Sequence, residues 1–151
     1  MQKIFLNRLE DVTGFSGTGI VWSGYKFNNG WLIGEWVTNN YASSRVFYPN
    51  VVALAEIHGH DGRTKVIEED STENCFQLVA HPDDTIDGNP FVAEGAVLPS
   101  GSAVCCYYAK YTSLATYDKL ADLTGMLTRS QLVVFKQPPP PGVYLREKVF
   151  K

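Results

Sequence analysis

The segment Phe15-Ser16-Gly17-Thr18-Gly19-Ile20-Val21-Trp22-Ser23-Gly24 lines up with Ile86-Asp87-Gly88-Asn89-Pro90-Phe91-Val92-Ala93-Glu94-Gly95 at a shift of 71. Identity is low, so the signal is the shared order of turn glycines and apolar runs. The same shift sets Gly30 on Gly101, Trp36 on Tyr107 and, backwards, Phe5 on Phe76. After a two-residue deletion Ser44, Tyr48 and Leu54 fall on Ser113, Tyr117 and Leu123. An internal duplication follows, and it decides the fold.

Each copy spells out the same elements. A short apolar strand (4–9; 75–80) leads through a turn-rich stretch into a hairpin with arms at 20–27 and 31–37, or 91–98 and 103–109. The hairpin connections Asn28-Asn29-Gly30 and Pro99-Ser100-Gly101 end in glycine, as a turn that needs positive φ requires. A fourth strand (45–48; 114–117) enters a short helix, begun by Pro49-Asn50 in the first copy and capped by Asp118 in the second. In that second helix Leu120, Leu123 and Met126 recur at helical spacing. Closing strands follow at 65–68 and 132–135. This order predicts a mainly β protein with two short helices, in which two similar SH3-like barrel units fuse into one pseudo-twofold domain. The boundaries are 1–70 for the first unit, 71–136 for the second, diverged unit, and 137–151 for a proline-rich spacer and docking tail. Val143, Leu145, Val149 and Phe150 make that tail apolar enough to pack on its own chain or to join a neighbouring subunit in a homo-oligomer.

Composition narrows the function. A chain of 151 residues with 44% hydrophobic and 19% charged residues is globular rather than disordered. The longest apolar run, Ala103 to Ala109, is far short of the ~20 residues of a membrane helix, which predicts a cytoplasmic protein with no membrane partner. The net charge of −3 offers phosphate backbones little general attraction, against nonspecific nucleic-acid binding. Cys75, Cys105 and Cys106 lack disulfide or zinc spacing and read as buried thiols.

Unusual residues concentrate in Ile57-His58-Gly59-His60-Asp61-Gly62-Arg63-Thr64, whose counterpart near Leu127-Thr128-Arg129-Ser130 has no histidine. As a metal site the loop offers His58, His60 and Asp61 without a further ligand cluster, so no metal or cofactor is expected. As an anion site it is better equipped. Gly59 and Gly62 permit a turn with converging amides, Arg63 brings a planar donor fork, Thr64 a hydroxyl, and His58 and His60 further hydrogen bonds. The plain structural reading is a helix ended by Gly59 and a turn held by Asp61-Gly62. No G-x-S-x-G, H-E-x-x-H, P-loop or Rossmann spacing is present. Trp36 and Tyr48 have aromatic counterparts and read as core, whereas Trp22 and Trp31 face Ala93 and Ser102 and read as a ligand or subunit surface.

The run Arg8-Leu9-Glu10-Asp11-Val12-Thr13-Gly14-Phe15-Ser16-Gly17-Thr18-Gly19, the later Gly24, Gly30 and Trp36, and the close Ile57 to Thr64 resemble a group of small proteins encoded by bacteriophages. These carry an SGxSGTG-like start and an HGHxGxT-like end; Val12-Thr13-Gly14-Phe15 departs slightly from that opening. The resemblance covers the first copy and implies a phage origin and an accessory role, with no catalytic residues. The resulting expectation is a non-enzymatic binding protein that sequesters a host protein or a small anionic, phosphorylated or nucleotide ligand, in an anti-defence setting. A small histidine-dependent hydrolase or lyase and a virion assembly protein are the alternatives.

Overall fold

The computed structural model describes residues 1–11, 14, 17–37, 44–80, 91–127 and 131–136. The expectations for the tail at 137–151 fall outside these residues. Ten strands and two α-helices follow in chain order. The first unit contains β1 (Gln2–Arg8), β2 (Gly19–Lys26), β3 (Leu32–Trp36), β4 (Arg45–Tyr48), α1 (Val51–His58), a single turn at His60–Gly62, and β5 (Thr64–Glu69). The second contains β6 (Cys75–Ala80), β7 (Phe91–Val97), β8 (Ala103–Tyr107), β9 (Ser113–Tyr117), α2 (Leu120–Met126) and β10 (Gln131–Phe135). The chain clusters into Met1–Ser71 with Leu98–Ser100, and Thr72–Val97 with Gly101–Lys151.

Both units are five-stranded antiparallel sheets with the same connectivity, in the orders β4-β3-β2-β1-β5 and β9-β8-β7-β6-β10. The duplication is visible in the register. Gly24 faces Gly34 as Gly95 faces Cys105, and Leu32 faces Tyr48 as Ala103 faces Tyr117. Gly30 and Gly101, closing the two hairpin turns, share a φ of 91°.

Three details correct the sequence reading. The sheets are open rather than closed barrels, because α1 and the turn after it carry the chain across the sheet, so that β5 pairs with β1 and not with β4. The first strands align at a shift of 72, not 71: Ile4 faces Gly24 as Phe76 faces Gly95, and after the next inward leucine the partner strands each carry a one-residue bulge, at Val21 in β2 and Val92 in β7. The N-cap of α2 is Lys119, in extended conformation, rather than Asp118. Of the helical apolar triplet, Leu120 and Leu123 are buried and Met126 is exposed. Asn50 caps α1 as expected, its side chain accepting from the Ala53 amide at 2.8 Å.

The core of the first unit, on the face covered by α1, consists of Ile4, Leu6, Val21, Trp22, Leu32, Tyr48 and Leu54. Trp22 is fully buried there, which corrects its assignment to a surface. Its indole lies over the cross-strand pair Gly24 and Gly34, so close that a Cβ on either glycine would collide with the ring and with backbone. The second unit fills the same slot from the neighbouring strand. Ala93 replaces Trp22, Cys105 replaces Gly34, and the Phe76 ring, at the position of Ile4, covers Gly95. The bulky residue has changed strands while the slot stays filled, as close packing demands. Cys75, Cys105 and Cys106 are free and buried, and burial raises the Cys105 pKa to about 12, so this thiol is packing material.

The exchange predicts a compensation. Gly34→Cys alone overpacks the slot and should cost about 1–3 kcal/mol or more. Combining it with Trp22→Ala and Ile4→Phe, the set that the second unit uses, should recover most of that loss in thermal melts. Additive losses in the triple variant would show that the two slots are not equivalent.

Candidate functional site

Alternation along β1 directs Ile4, Leu6 and Arg8 to the same buried face. The last of these is a guanidinium at only 2% exposure, where the strand ends and the apolar core stops. Its cross-strand neighbours are Gly19 on β2 and Thr64 on β5. Arg8 Nε donates to Thr64 Oγ1 at 3.4 Å, and Nη1 lies 3.9 Å from Asp11 Oδ1. Nη1 is buried and has no hydrogen-bond acceptor among the described residues; the indole Nε1 of Trp22 is in the same condition. The two carboxylate oxygens of Asp11 also accept from the Gly14 and Gly17 amides at 3.0 and 2.9 Å. An unmatched buried donor costs about 1–3 kcal/mol.

The end of α1 brings His58 to this region. Its Nε2 is 2.7 Å from the Tyr48 hydroxyl, and its ring meets the rings of Trp36 and Tyr48 edge-on at 5.1 and 5.6 Å. Tyr48 in turn packs edge-on against Trp22 at 5.8 Å, so the core positions the imidazole. Burial, then the neighbouring His60 and the charge of Arg8, lower the His58 pKa, which keeps the ring neutral at physiological pH. Burial also raises the pKa of Tyr48, which keeps its proton.

Beyond α1, Gly59 is required because a Cβ there would strike the Ala55 carbonyl oxygen. Its own φ is −67°, and the left-handed positions are the next three: His60, Asp61 and Gly62, at φ 47°, 54° and 86°. Left-handed backbone costs an L-residue about 1–2 kcal/mol, so this turn holds strain at two non-glycine positions.

Several parts of the sequence reading are relocated. The amides of Gly59, Gly62, Arg63 and Thr64 donate to Ala55, Gly59, His60 and Gly59 carbonyls, so the loop closes on itself instead of presenting a nest of converging amides. Arg63 is about half exposed and lies 3.4 Å from Glu10, while its carbonyl accepts from Leu9. Of the loop residues Thr64 pairs with Arg8 across β5 and β1, and His58 to Gly62 form the end of α1 and the turn that leads into β5. Trp31 is half-buried and meets Phe47 edge-on at 5.4 Å on the outer strands. Among the described residues no three His, Cys, Asp or Glu side chains are placed to hold a metal ion. Arg8 escaped notice in the sequence, although extending the Ile4, Leu6 alternation by one step marks it.

The second unit is the internal control. By register its equivalents of Arg8 and Thr64 are Ala80 and Gln131, and at the shift of 69 that sets Leu54 on Leu123, His58 falls on Leu127, the extended residue just after α2. Trp36 is matched by Tyr107, whose hydroxyl lies 3.0 Å from that of Tyr117. The fold therefore forms without the arginine and the histidine.

Residues 1–70, slightly less than half of the chain, match the model of a family described as Acb5 phage protein. The match covers the unit that carries Arg8 and His58. No curated protein and no solved structure matches the chain. No helix among the described residues is long and apolar enough to cross a membrane.

The state of His58 has a pH signature. Its pKa is lowered in the folded protein, so below the ordinary value near 6.5 the unfolded chain takes up the proton first. Stability conferred by the neutral ring is present above that pH and is lost as pH falls towards the folded-state pKa. Thermal melts of wild type and His58→Gln between pH 7.5 and about 5 should differ in slope, with the variant flatter; parallel curves would place the ring in a solvated setting.

Proposed function

We propose that the chain is a phage-encoded binding protein whose first unit captures a small phosphorylated anion, with nucleotides as the foremost class, and sequesters it in the host cytoplasm. The observation that carries this reading is Arg8: a buried guanidinium whose Nη1 has no hydrogen-bond acceptor among the described residues, bonded through Nε to Thr64 and near enough to His58 for its charge to lower the histidine pKa. A phosphate oxygen supplies the acceptor that Nη1 lacks among the described residues, and guanidinium matches phosphate in charge and planar donor geometry. The likeness of this unit to a phage protein family supplies the setting, in which a viral accessory protein withdraws a host molecule that serves defence. The cation assigned to the ligand is thus Arg8 in place of Arg63, whose exposed side chain pairs with Glu10. Surface pairs of this kind contribute about 0–1 kcal/mol.

Calorimetry with inorganic phosphate and a panel of mono-, di- and cyclic nucleotides tests the reading. Arg8→Ala copies the second unit's Ala80 and should retain a cooperative melt. Its affinity for the bound anion should drop by about 1.5–3 kcal/mol, the worth of hydrogen bonds to a charged group. Arg63→Ala should bind nearly as wild type does. Binding of no anion by the wild type, or a loss confined to Arg63→Ala, would overturn the assignment.

A further inference from the structure

Anion capture accounts for Arg8 and Thr64 and leaves His58 unexplained. Affinity alone would be served by a charged side chain, yet the site packs an imidazole against Trp36 and Tyr48, beside the positive charge of Arg8, where its charge is suppressed. What a neutral imidazole does offer is a lone pair. What it touches is a phenol that holds its own proton, at 2.7 Å. The second unit keeps the tyrosine, as Tyr117, and has Leu127, just after α2, where the alignment puts His58, so the His58–Tyr48 pair occurs only in the unit that has the buried arginine.

We infer that the site hydrolyses a phosphodiester, with His58 as general base and Tyr48 as general acid. The inference rests on the first unit taking a phosphorylated anion at Arg8. A diester offers non-bridging oxygens that the guanidinium N–H groups can bind. With the Nε2 proton donated to the Tyr48 oxygen, Nδ1 holds a free lone pair and the phenol proton is available to the ligand. Water gives a proton to Nδ1 as its oxygen bonds to phosphorus. The bond from phosphorus to the leaving oxygen breaks, its electron pair departs with that oxygen, and the oxygen takes the Tyr48 proton. The imidazolium then returns its Nε2 proton to the phenolate across the existing hydrogen bond, leaving neutral histidine, neutral tyrosine, a phosphomonoester and an alcohol. Arg8 stabilises the charge that grows on the non-bridging oxygens. Because the acid and the base are joined by one hydrogen bond, a single pair serves both sides of the displacement.

The test uses the purified full chain and two diesters: bis(p-nitrophenyl) phosphate, whose leaving group needs no proton, and thymidylyl-3′,5′-thymidine, whose leaving alcohol does. Wild type should turn over both. His58→Leu, the side chain that the second unit uses, should lose at least about 100-fold on both, in the range of general base catalysis. Tyr48→Phe should lose a similar factor on the dinucleotide and less than about 10-fold on the nitrophenyl ester, a split that a merely structural tyrosine would not produce. Both variants should keep a cooperative thermal melt, which separates lost chemistry from lost fold. Arg8-dependent phosphate binding without turnover of either diester above the His58→Leu level would overturn the catalytic inference and leave the capture reading standing. Equal losses on both substrates in Tyr48→Phe would remove the acid role. Absence of phosphate binding in the wild type would remove both readings.

Discussion

The packing of Trp22 across the paired glycines Gly24 and Gly34 sets the rest of the first unit in place. Two adjacent strands give up their side chains at one level of the sheet, and one indole fills the space. That indole makes an edge contact with Tyr48, which in turn holds His58 at the end of α1. A core contact and a candidate chemical group are thus two steps apart along one chain of rings. Close-packed interiors transmit displacement rather than absorb it, so the placement of the imidazole depends on glycine at two positions inside the sheet.

Most of the architecture was legible in the sequence because strands, hairpin turns and helix starts are written locally. Strand boundaries fell within two residues, and Asn50 and the glycines that close the hairpins carried their usual meanings. Closure of the sheets was not legible, since it depends on where α1 delivers β5, a matter of tertiary path. The assignment of Trp22 failed for an instructive reason. Comparison of the copies position by position showed a tryptophan facing an alanine, which reads as a surface residue without a structural duty. The slot had been filled instead by Phe76 from the next strand, and the shift of 72 in that strand hid the exchange from an alignment kept at 71.

The site was half legible. The histidine loop attracts attention because its residue types are rare elsewhere in the chain, and it does end up where the buried cation lies. Its amides, however, close hydrogen bonds within the turn, and Arg63 turns to Glu10. The buried cation is 55 positions earlier, at the end of a strand whose inward residues are otherwise aliphatic. A period of two places Arg8 on that face, but composition-based reading assigns an arginine at a strand end to solvent, and only the fold shows it to be covered.

Departures from local rules are unevenly distributed between the units. Among the described residues, the first holds His60 and Asp61 at positive φ and two unmatched buried donors, Arg8 Nη1 and Trp22 Nε1. The second has one such residue, Asn74, and neither unmatched donor. Both units share one topology, so these costs are not required to make the fold. A sequence free to drift would shed them, as the second unit's Ala80 and Leu127 illustrate. Their concentration at one end of the first sheet, around the His58–Tyr48 pair and within the segment similar to the phage family, is the pattern expected when stability is given up for chemistry at a site.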